Sequence, residues 1–475
     1  MFCVVEKEQF DYAKRNIPYC KYSIEIIYYE QLKEKINGIK SDDGFILLIS
    51  NNHKLEHCVN VLHKNNITYV YIVDLYAIDK SLPLTNENGE FTQYVKRISL
   101  NRPYLVHMET HINNRCNLNC KACNNFAPWV VEDDHDHIKS LISDLSKLSA
   151  LTTIGRLFLL GGEPLLEAEW VRASVKAVRD ILPTSEIRLL TNGLLIPSMA
   201  DSFWNCIREN DVIIYITLYP PTIKRIIEIK NCLTRNNVKY VLGPQVVTFE
   251  KRWTNMPYED AEYNSSKCGS SGCHYFGNGI YTKCPDAATI SYSGLLGKVP
   301  TKSIKSIDEI RDGWYLCEEL EKPSDMCRYC TIERREQIKW EPCGKKPSIH
   351  DWKIENREVY IQRGQEFFIN FIREKTNKFI DEYEIGIWGC GTVFNEIYYR
   401  IKDYVKVKYL TDNNIDLMNT TCRKLGLSPL NSKCVLEHSN LFYLVAVDNP
   451  TALVEICSFL DANNIKHAHI REIMR

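Results

Sequence analysis

Residues 107–128 read His107-Met-Glu-Thr-His-Ile-Asn-Asn-Arg-Cys116-Asn-Leu-Asn-Cys120-Lys-Ala-Cys123-Asn-Asn-Phe-Ala-Pro128. The cysteines have the spacing C-x3-C-x2-C. Three thiolates on one short loop can bind three irons of a cubane [4Fe–4S] cluster, and the fourth iron then has no protein ligand. Ferredoxin runs of four cysteines close every iron, so this spacing predicts a cluster that also binds a further ligand.

A structural zinc site is the alternative for the same three cysteines. Such sites usually have four nitrogen or sulfur ligands, often from paired CxxC or HxxxH elements. His107 or His111 would supply the fourth ligand. Two segments further along the chain favour the iron–sulfur cluster.

These segments are Gly161-Gly162-Glu163-Pro164 and Leu190-Thr191-Asn192-Gly193. With the CxxxCxxC loop, they make residues 104–345 resemble the radical S-adenosylmethionine (SAM) enzymes. The resemblance implies a partial (β/α)6 barrel in which the amino and carboxylate groups of SAM chelate the open iron. It also implies that the reduced cluster cleaves SAM, and that the 5′-deoxyadenosyl radical removes hydrogen from a substrate.

The resemblance also assigns SAM-binding residues. Gly161 to Pro164 would receive the methionine amino group, through backbone atoms and the Glu163 carboxylate. Thr191 and Asn192 would lie beside the ribose. The position before the third cysteine, often aromatic in the family, is Ala122 here, which leaves the support of the adenine unassigned.

A second group of cysteines lies in residues 268–343. The stretch from Cys273 to Cys284 predicts a β-hairpin that turns at Asn278-Gly279. This register pairs 277 with 280 and, further along, 273 with 284, so the hairpin favours both cysteines as ligands of one cluster. A later CxxC would close the other side. Five candidates therefore compete for four places: Cys268, Cys273, Cys284, Cys327 and Cys330.

This second group resembles the twitch form of the SPASM auxiliary-cluster domain, on the Gly279-x4-Cys284 hairpin and the later CxxC. The resemblance implies one auxiliary [4Fe–4S] cluster, and the family spacing also permits Cys268. No C-x5-C-x3-C continuation follows Cys330, as a full SPASM domain would have. A zinc knuckle or a cystine hairpin is the alternative, and Cys317 and Cys343 are interpreted as core residues.

The region around 104–250 alternates strands with helices, which predicts an α/β fold with a parallel sheet curled toward a barrel. Ligands in such folds bind at the carboxyl ends of the strands. The cysteine loop and the two downstream segments each follow a predicted strand, and Thr217 or Tyr219 ends another. The predicted strands are 105–113, 156–160, 187–191, 212–218 and 238–242, with helices near 134–150, 167–181, 199–209 and 222–235.

The two ends of the chain share a pattern. With an offset of 398, Asn51 matches Asn449, Leu55 matches Leu453, and 65–67 matches 463–465. This favours two copies of one Rossmann-like strand–helix–strand module, although shared α/β patterning alone would also produce it. The predicted domains are an N-terminal Rossmann-like module (1–100), a radical SAM partial barrel (104–255), an auxiliary Fe–S domain (256–350) and a C-terminal Rossmann-like module (355–475).

The C-terminal module contains a truncated dinucleotide-binding turn. Gly389-x-Gly391 precedes a predicted helix, and Asp412 lies about where an acid would bind a ribose, but Phe394 replaces the third glycine. Both a nucleotide or nucleotide-sugar site and a docking or oligomerisation role fit this pattern.

Composition excludes several classes of function. The chain of 475 residues has 59 basic and 60 acidic residues, so no basic excess indicates a nucleic-acid partner. We find neither a signal peptide nor an apolar run long enough for a bilayer, and we expect a cytoplasmic protein without a membrane partner. Nineteen cysteines in such a protein indicate metal ligands, free core thiols, or both.

The sequence supports three functional hypotheses. The first is hydrogen abstraction from a hydroxyl- or amine-bearing carbon of a sugar-like small molecule, giving oxidation or epimerisation. The auxiliary cluster would then accept an electron or anchor the substrate, and an external reductant of flavodoxin or ferredoxin type would supply electrons. The second is a peptide maturase that forms a crosslink, thioether or epimer. The third is a non-enzymatic iron–sulfur scaffold or sensor.

Overall fold

A computed structural model describes the chain apart from residues 17–23, 37–43, 74–83, 86–87, 89, 93–94, 132–136, 255–256, 258–259, 298, 333–334, 345, 355–356, 377–383, 403–404, 448, 471 and 473–475. The chain divides into two compact units, Met1–Ile354 and Glu355–Arg475. None of the helices in the described ranges combines the length and the apolar character of a bilayer span.

The first unit begins with a five-stranded sheet in the order β2-β1-β3-β4-β5. Its strands are parallel except for β5, which runs antiparallel to β4. The central strand β3 is buried along its whole length, as expected for an apolar strand with helices on both faces. The elements are β1 (Phe2–Val5), α1 (Phe10–Asn16), β2 (Glu25–Tyr28), α2 (Leu32–Lys35), β3 (Phe45–Leu48), α3 (Asn52–Lys64), β4 (Tyr69–Val73) and β5 (Val95–Ser99).

The second sheet of this unit contains the predicted βα units. The elements are β6 (Tyr104–Asn113), α4 (His137–Leu151), β7 (Thr153–Gly161), α5 (Ala168–Ile181), β8 (Glu186–Thr191), α6 (Asp201–Glu209), β9 (Val212–Leu218), α7 (Pro220–Lys224), α8 (Ile226–Arg235) and β10 (Tyr240–Gln245). The α/β class and the parallel pairing of these strands confirm the prediction. The predicted helix 222–235 is divided at Arg225, and residues 134–136 of the first predicted helix lie outside the described ranges.

Three strands of the rest of the first unit extend this sheet at the β6 edge, and two others form a separate antiparallel pair. The elements are β11 (Thr248–Lys251), α9 (Ala261–Lys267), β12 (His274–Gly277), β13 (Ile280–Thr282), α10 (Asp286–Thr289), β14 (Lys305–Ser306), α11 (Gly313–Glu321) and β15 (Glu336–Lys339). The sheet order is β10-β9-β8-β7-β6-β12-β13-β14, with β12 parallel to β6. The described strands form no closed barrel, and the partial (β/α)6 barrel stays a prediction.

The two faces of this sheet differ in polarity. Met108 and Ile112 of β6 belong to the apolar core that the helices cover. The alternate residues His107, Glu109 and His111 are also buried but polar, because successive side chains of a strand point to opposite faces. The helices therefore cover an apolar face and leave a polar face for the interior.

The second unit is a five-stranded parallel sheet in the order β18-β17-β16-β19-β20. Its elements are α12 (Arg357–Thr376), β16 (Ile385–Trp388), α13 (Thr392–Ile401), β17 (Val407–Thr411), α14 (Ile415–Leu425), β18 (Ser428–Pro429), β19 (Phe442–Val445), α15 (Pro450–Ala462) and β20 (His467–His469). Both ends of the chain thus form Rossmann-like sheets. The domain boundaries inside the first unit stay predictions.

Candidate iron–sulfur sites

The three cysteines of the loop after β6 line one cavity of about 570 Å³, counting the space open to solvent. The two downstream segments reach the same cavity, because all of them follow parallel strands of one sheet and so meet at its carboxyl edge. The cavity is lined by Cys116, Leu118, Cys120, Cys123, Asn125, Ala127, Leu160, Gly161, Gly162, Leu190, Thr191, Asn192, Thr217 and Tyr219.

Hydrogen-bond donors surround the sulfurs of this loop. The backbone N–H of Leu118 donates to the Sγ of Cys116 at 3.4 Å, and the indole Nε1 of Trp340 donates to the Sγ of Cys120 at 3.1 Å. Such bonds stabilise thiolates and tune the potential of a cluster that they hold. Sequence reasoning did not find Trp340, because no local pattern shows that a residue so far along the chain returns to the loop.

The loop has an unusual backbone. Asn119, Ala122 and Phe126 adopt positive φ angles of 47°, 52° and 51°. For residues other than glycine such angles need support from surrounding contacts. The Nε1 of Trp352 supplies some of it by donating to the carbonyl of Cys123 at 2.8 Å, and Phe126 is fully buried. Ala122 is buried as well.

Gly161 and Gly162 lie where only glycine fits. Gly161 has a φ of +138°, and a Cβ there would be 1.9 Å from the carbonyl oxygen of Asn113. A Cβ on Gly162 would be 2.1 Å from the carbonyl oxygen of Arg115. The two glycines therefore bring their backbone against the start of the cysteine loop. They present peptide groups rather than side chains to the cavity.

Glu163 is fully buried and does not line the cavity. Its carboxylate accepts hydrogen bonds from the N–H of Leu165 (3.0 Å), the Oγ1 of Thr191 (2.7 Å) and the N–H of Asn192 (2.8 Å). Burial raises the pKa of this carboxyl, while the three bonds act against the increase. The structure thus shows the carboxylate joining the two SAM-type segments. Direct contact with SAM stays a prediction for Glu163 and for Pro164, which is buried at the start of a 3-10 turn.

Asn192 connects the second segment to the cysteine loop. Its Nδ2 donates to the Oδ1 of Asn117 at 2.7 Å and lies 4.0 Å from the Sγ of Cys116. The sequence left three alternative roles open for Thr217 or Tyr219: contact with SAM, contact with the substrate, or a structural role. Both residues line the cavity. The ring of Tyr219 stacks on Phe249, with 6.1 Å between ring centroids. Burial and the three nearby cysteines raise the pKa of Tyr219 well above its ordinary value, so its hydroxyl stays protonated.

A second cavity of about 520 Å³ is lined by four of the five other candidate cysteines, Cys268, Cys284, Cys327 and Cys330. The hairpin has the predicted register, since Gly277 pairs with Ile280 and Phe276 with Tyr281. The paired residues end at Tyr275 and Thr282. The extension to a pair between 273 and 284 is not observed.

Cys273 is the candidate that the structure does not bring to this cavity. Burial raises the pKa of its thiol, Glu109 and Cys268 add to that increase, and a hydrogen bond with Asn52 acts against it. Cys268 instead follows the end of α9, and Asn264 of that helix donates its Nδ2 to the carbonyl of Cys327 at 2.7 Å and to that of Cys330. This bonding holds the CxxC beside Cys268. The hairpin argument for Cys273 failed because the strands stop pairing before they reach it.

Buried charges surround the second cavity. Arg252, Lys283 and Asp286 line it and are each less than a tenth exposed. Arg252 forms an ion pair with Asp286, and the Nζ of Lys283 donates to the carbonyls of Leu320 (3.0 Å) and Glu321 (2.8 Å). Burial lowers the pKa of Lys283, and the neighbouring acidic groups act against this. Two basic side chains thus adjoin four thiols.

The described cysteines are all free thiols. Burial raises the pKa of Cys116 and of Cys330 to about 12, so these thiols need a bound cation to ionise. No group of three or more His, Cys, Asp or Glu in the described ranges is arranged to hold a single metal ion. The irons of a cubane each take a different thiolate, so its ligands surround a space. Both donor sets fit this geometry.

Cys317 and Cys343, which the sequence analysis interpreted as core residues, differ in their surroundings. Cys317 is buried in the core beneath the helices, as predicted. Cys343 packs at the edge of a smaller apolar cluster, and its backbone N–H donates to the carbonyl of Asn119 in the cysteine loop at 2.6 Å. Cys343 thus belongs to the segment that closes over the loop. It does not line either cavity.

Comparisons with known proteins agree with the first site. Residues 108–218 match the family described as a 4Fe-4S single cluster domain. The chain is 38% identical over 93 residues to the GTP 3′,8-cyclase of Moorella thermoacetica, which is 19% of this chain and 28% of that protein. It is 31% identical over 90 residues to an S-adenosylmethionine-dependent nucleotide dehydratase of Fibrobacter sp., which is 18% of this chain and 26% of that protein. The chain thus spans about a quarter of the length of these relatives.

Two solved structures are also similar. BtrN in complex with AdoMet and 2-DOIA has 16% identity and a TM-score of 0.29, over 48% of this chain and 92% of that one. Native anSMEcpe with bound AdoMet and Cp18Cys peptide has 17% identity and a TM-score of 0.25, over 30% of this chain and 42% of that one. TM-scores this low carry no conclusion about this chain.

The family match and the two relatives confirm the resemblance that the sequence predicted. The matches make the chain similar to radical SAM iron–sulfur proteins, and they support a [4Fe–4S] cluster and SAM as its cofactors. The four cysteines of the second cavity are the residues available for an auxiliary cluster of the SPASM or twitch type.

Proposed function

We propose that this protein is an enzyme that cleaves SAM reductively and abstracts hydrogen from a sugar-like or other small polar substrate, oxidising or epimerising it. One observation carries the proposal: the three cysteines share a single cavity with the peptide groups of Gly161 and Gly162 and with Asn192. When bound, the cluster and SAM would supply a 5′-deoxyadenosyl radical at this place.

The residues at this cavity would have different roles. Cys116, Cys120 and Cys123 would hold three irons, and among the described residues no fourth cysteine lines the cavity. The carbonyl oxygens of Gly161 and Gly162 would accept from the methionine amino group of SAM, since the N–H of Gly162 already donates to the carbonyl of Asn113 at 2.9 Å. Glu163 positions Thr191 and Asn192 at the opposite wall through its three hydrogen bonds.

The second cavity supports the role of an electron acceptor for the auxiliary cluster. Four cysteines would ligate every iron of that cluster and leave none open to bind a substrate directly. Arg252 and Lys283 lie beside it, and Asp286 offsets the charge of Arg252 through their ion pair. The buried side chains therefore add net positive charge, which favours the reduced, more negative state. An oxidised substrate radical can then transfer its electron to this cluster, so that the oxidation needs no further oxidant at that step.

The polar face of the sheet supports a small polar substrate. His107 and Glu109 lie 3.4 Å apart between Nε2 and Oε2, and the guanidinium of Arg188 lies 5.6 Å from the ring centroid of Phe158. Burial raises the pKa of Glu109 to about 8, so its carboxyl is largely protonated near neutral pH and can donate as well as accept. Such groups fit hydroxyls and amines. The strands β1 to β5 form a Rossmann-like sheet, and the described residues before Leu100 contain no peptide-binding winged helix, which favours the same substrate class over a peptide.

The test is SAM cleavage by anaerobically reconstituted protein with dithionite. We expect 5′-deoxyadenosine and methionine from the wild type, their loss in Cys120→Ala, and their retention in Cys457→Ala, which removes a partly buried thiol of the second unit. Absence of 5′-deoxyadenosine from wild-type protein that contains its clusters would leave a scaffold or sensor. If the wild type forms 5′-deoxyadenosine, deuterium transfer into it from labelled sugars, aminocyclitols or peptides would identify the substrate class.

A further inference from the structure

The second unit contains a crevice that the SAM chemistry does not use. Its chain passes from β16 to β17 on one side of the sheet and returns to β19 on the other side. The carboxyl ends of β16 and β19 separate at such a switch point, where open α/β sheets bind their ligands. A cavity of about 400 Å³ lies at this place. This is within the range of sizes of small-molecule sites.

The walls of this cavity offer distinct chemistry. Gly389, with a φ of +109°, and Thr392 bring the start of α13 to it, so that free backbone N–H groups of a first helical turn reach the cavity. Val447 and Trp388 supply apolar surface. Trp388 is 6% exposed, and its indole N–H has no hydrogen-bond partner in the structure. A buried donor without a partner is costly unless a ligand satisfies it.

Asp412 supplies the acid of the crevice at the end of β17. Its Oδ2 accepts from the N–H of Cys390 at 2.8 Å, and its Oδ1 accepts from the N–H of Asn414 at 2.8 Å. These bonds fix the carboxylate at the cavity wall. The Sγ of Cys390 also donates to Oδ2 at 3.2 Å. Oδ1 keeps a second lone pair, which can accept from a hydroxyl group of a ligand.

The N-terminal sheet has a corresponding crevice between β1 and β3, and its contents can be compared. Asn51 caps α3 as Asn449 caps α15, and both helices are followed by an asparagine with positive φ, Asn66 at 63° and Asn464 at 55°. In the N-terminal copy the carboxylate of Glu6, the residue after β1, accepts from the N–H of Ser50 at 2.7 Å and pairs with Lys54 at 3.1 Å. The carboxylate of Glu6 therefore occupies the crevice of the N-terminal sheet.

The residue after β16 is Gly389, so the C-terminal copy has no side chain to fill its crevice in this way. We propose that the crevice between β16 and β19 binds a nucleoside diphosphate, either as a dinucleotide cofactor or as the carrier group of a sugar. The diphosphate lies at the first turn of α13, the ribose hydroxyls bond to Asp412, and the base packs on the apolar wall beside Trp388. None of its lining residues belongs to either iron–sulfur cavity.

The experiment is calorimetric titration of the full-length reconstituted protein with ADP, NAD+ and UDP-glucose. We expect at least one Kd below about 100 μM, and the three compounds separate a cofactor from a sugar carrier. Thr392→Glu introduces a carboxylate at the helix start, as Glu6 does in the other copy, and should weaken binding at least about 10-fold. It should not impair folding, because an acidic side chain is favourable in a first helical turn.

Thr451→Glu is the matched control, since it makes the same change in the first turn of α15 at an exposed residue that does not line the cavity. It should bind like the wild type, and Asp412→Asn should bind more weakly. Formation of 5′-deoxyadenosine should be unchanged in all three variants, so this test is separate from that of the proposed function. No binding of any of the three compounds at millimolar concentration, or equal binding by the Thr392→Glu variant, would overturn the proposal.

Discussion

Two cavities of the first unit are both lined by cysteines, yet they differ in what else faces them. The first has three thiols beside the glycine backbone and Asn192. The second has four thiols beside Arg252, Lys283 and Asp286. The number of thiols determines whether an iron stays open, and the surrounding charge favours one oxidation state. Under the proposed function, the comparison teaches that similar sulfur ligands acquire different roles, SAM cleavage and electron acceptance, through the groups around them.

The largest effect should come from removing one thiol from each cavity. Cys116→Ala should lower SAM cleavage by at least about 100-fold, because an iron of the SAM-binding cluster loses its ligand. Cys330→Ala should keep cleavage within about 3-fold while stopping substrate oxidation, since its cluster does not contact SAM. Quantification of 5′-deoxyadenosine and of product in both variants tests this. Equal loss of cleavage in the two would show that the cavities do not have separate roles.

Iron content should show which cysteines ligate the cluster of the second cavity. Wild-type protein with two cubanes should contain about eight irons per chain. Cys268→Ala should contain about four, and Cys273→Ala should stay near eight, because Cys268 lines the cavity and Cys273 does not. Iron and sulfide analysis after anaerobic reconstitution measures both. The reverse result would assign the fourth ligand to Cys273, as the hairpin register favoured.

The charge difference between the cavities predicts a difference in potential. Arg252→Gln removes a buried positive charge beside the auxiliary cluster and should lower its reduction potential by about 50 mV, with little change at the SAM cluster. Redox titration followed by electron paramagnetic resonance measures both clusters. Arg252→Lys keeps the charge and should restore the potential, and Arg225→Gln, at an exposed ion pair with Glu228, is the matched control. An unchanged potential in Arg252→Gln would remove the electrostatic support for electron acceptance.

The smallest effect concerns Glu109 on the polar sheet face. Asp286 of the second cavity adds to the increase that burial causes in the pKa of Glu109, to about 8. The folded protein therefore keeps a proton that the unfolded chain releases above its ordinary pKa of 4.5, so stability falls as pH rises toward 8. Glu109→Gln has no such proton. The apparent Tm of the wild type relative to this variant should therefore decrease from pH 6 to pH 8, and a constant difference would contradict the shifted pKa.

Several features were predictable because they depend on local chemistry. The turn at Asn278-Gly279 formed in the expected register, since both residues accept positive φ. The convergence of the cysteine loop with Gly161 and Thr191 was also predictable, because carboxyl ends of parallel strands meet at one edge. The choice between Cys268 and Cys273 was not predictable. It depends on how α9 packs against the CxxC, through Asn264.

By itself, the sequence determined the chemistry of this protein: cysteine spacing and paired glycines specify a cluster with an open iron, because ligand number and backbone freedom are properties of short segments. Only the tertiary structure decided which thiols share a cavity and which distant residues serve them. Trp340, Arg252 and Lys283 reach the two cavities through long-range packing. The crevice of the second unit likewise depends on strand order, and side chains from separate elements meet only once the sheets have formed.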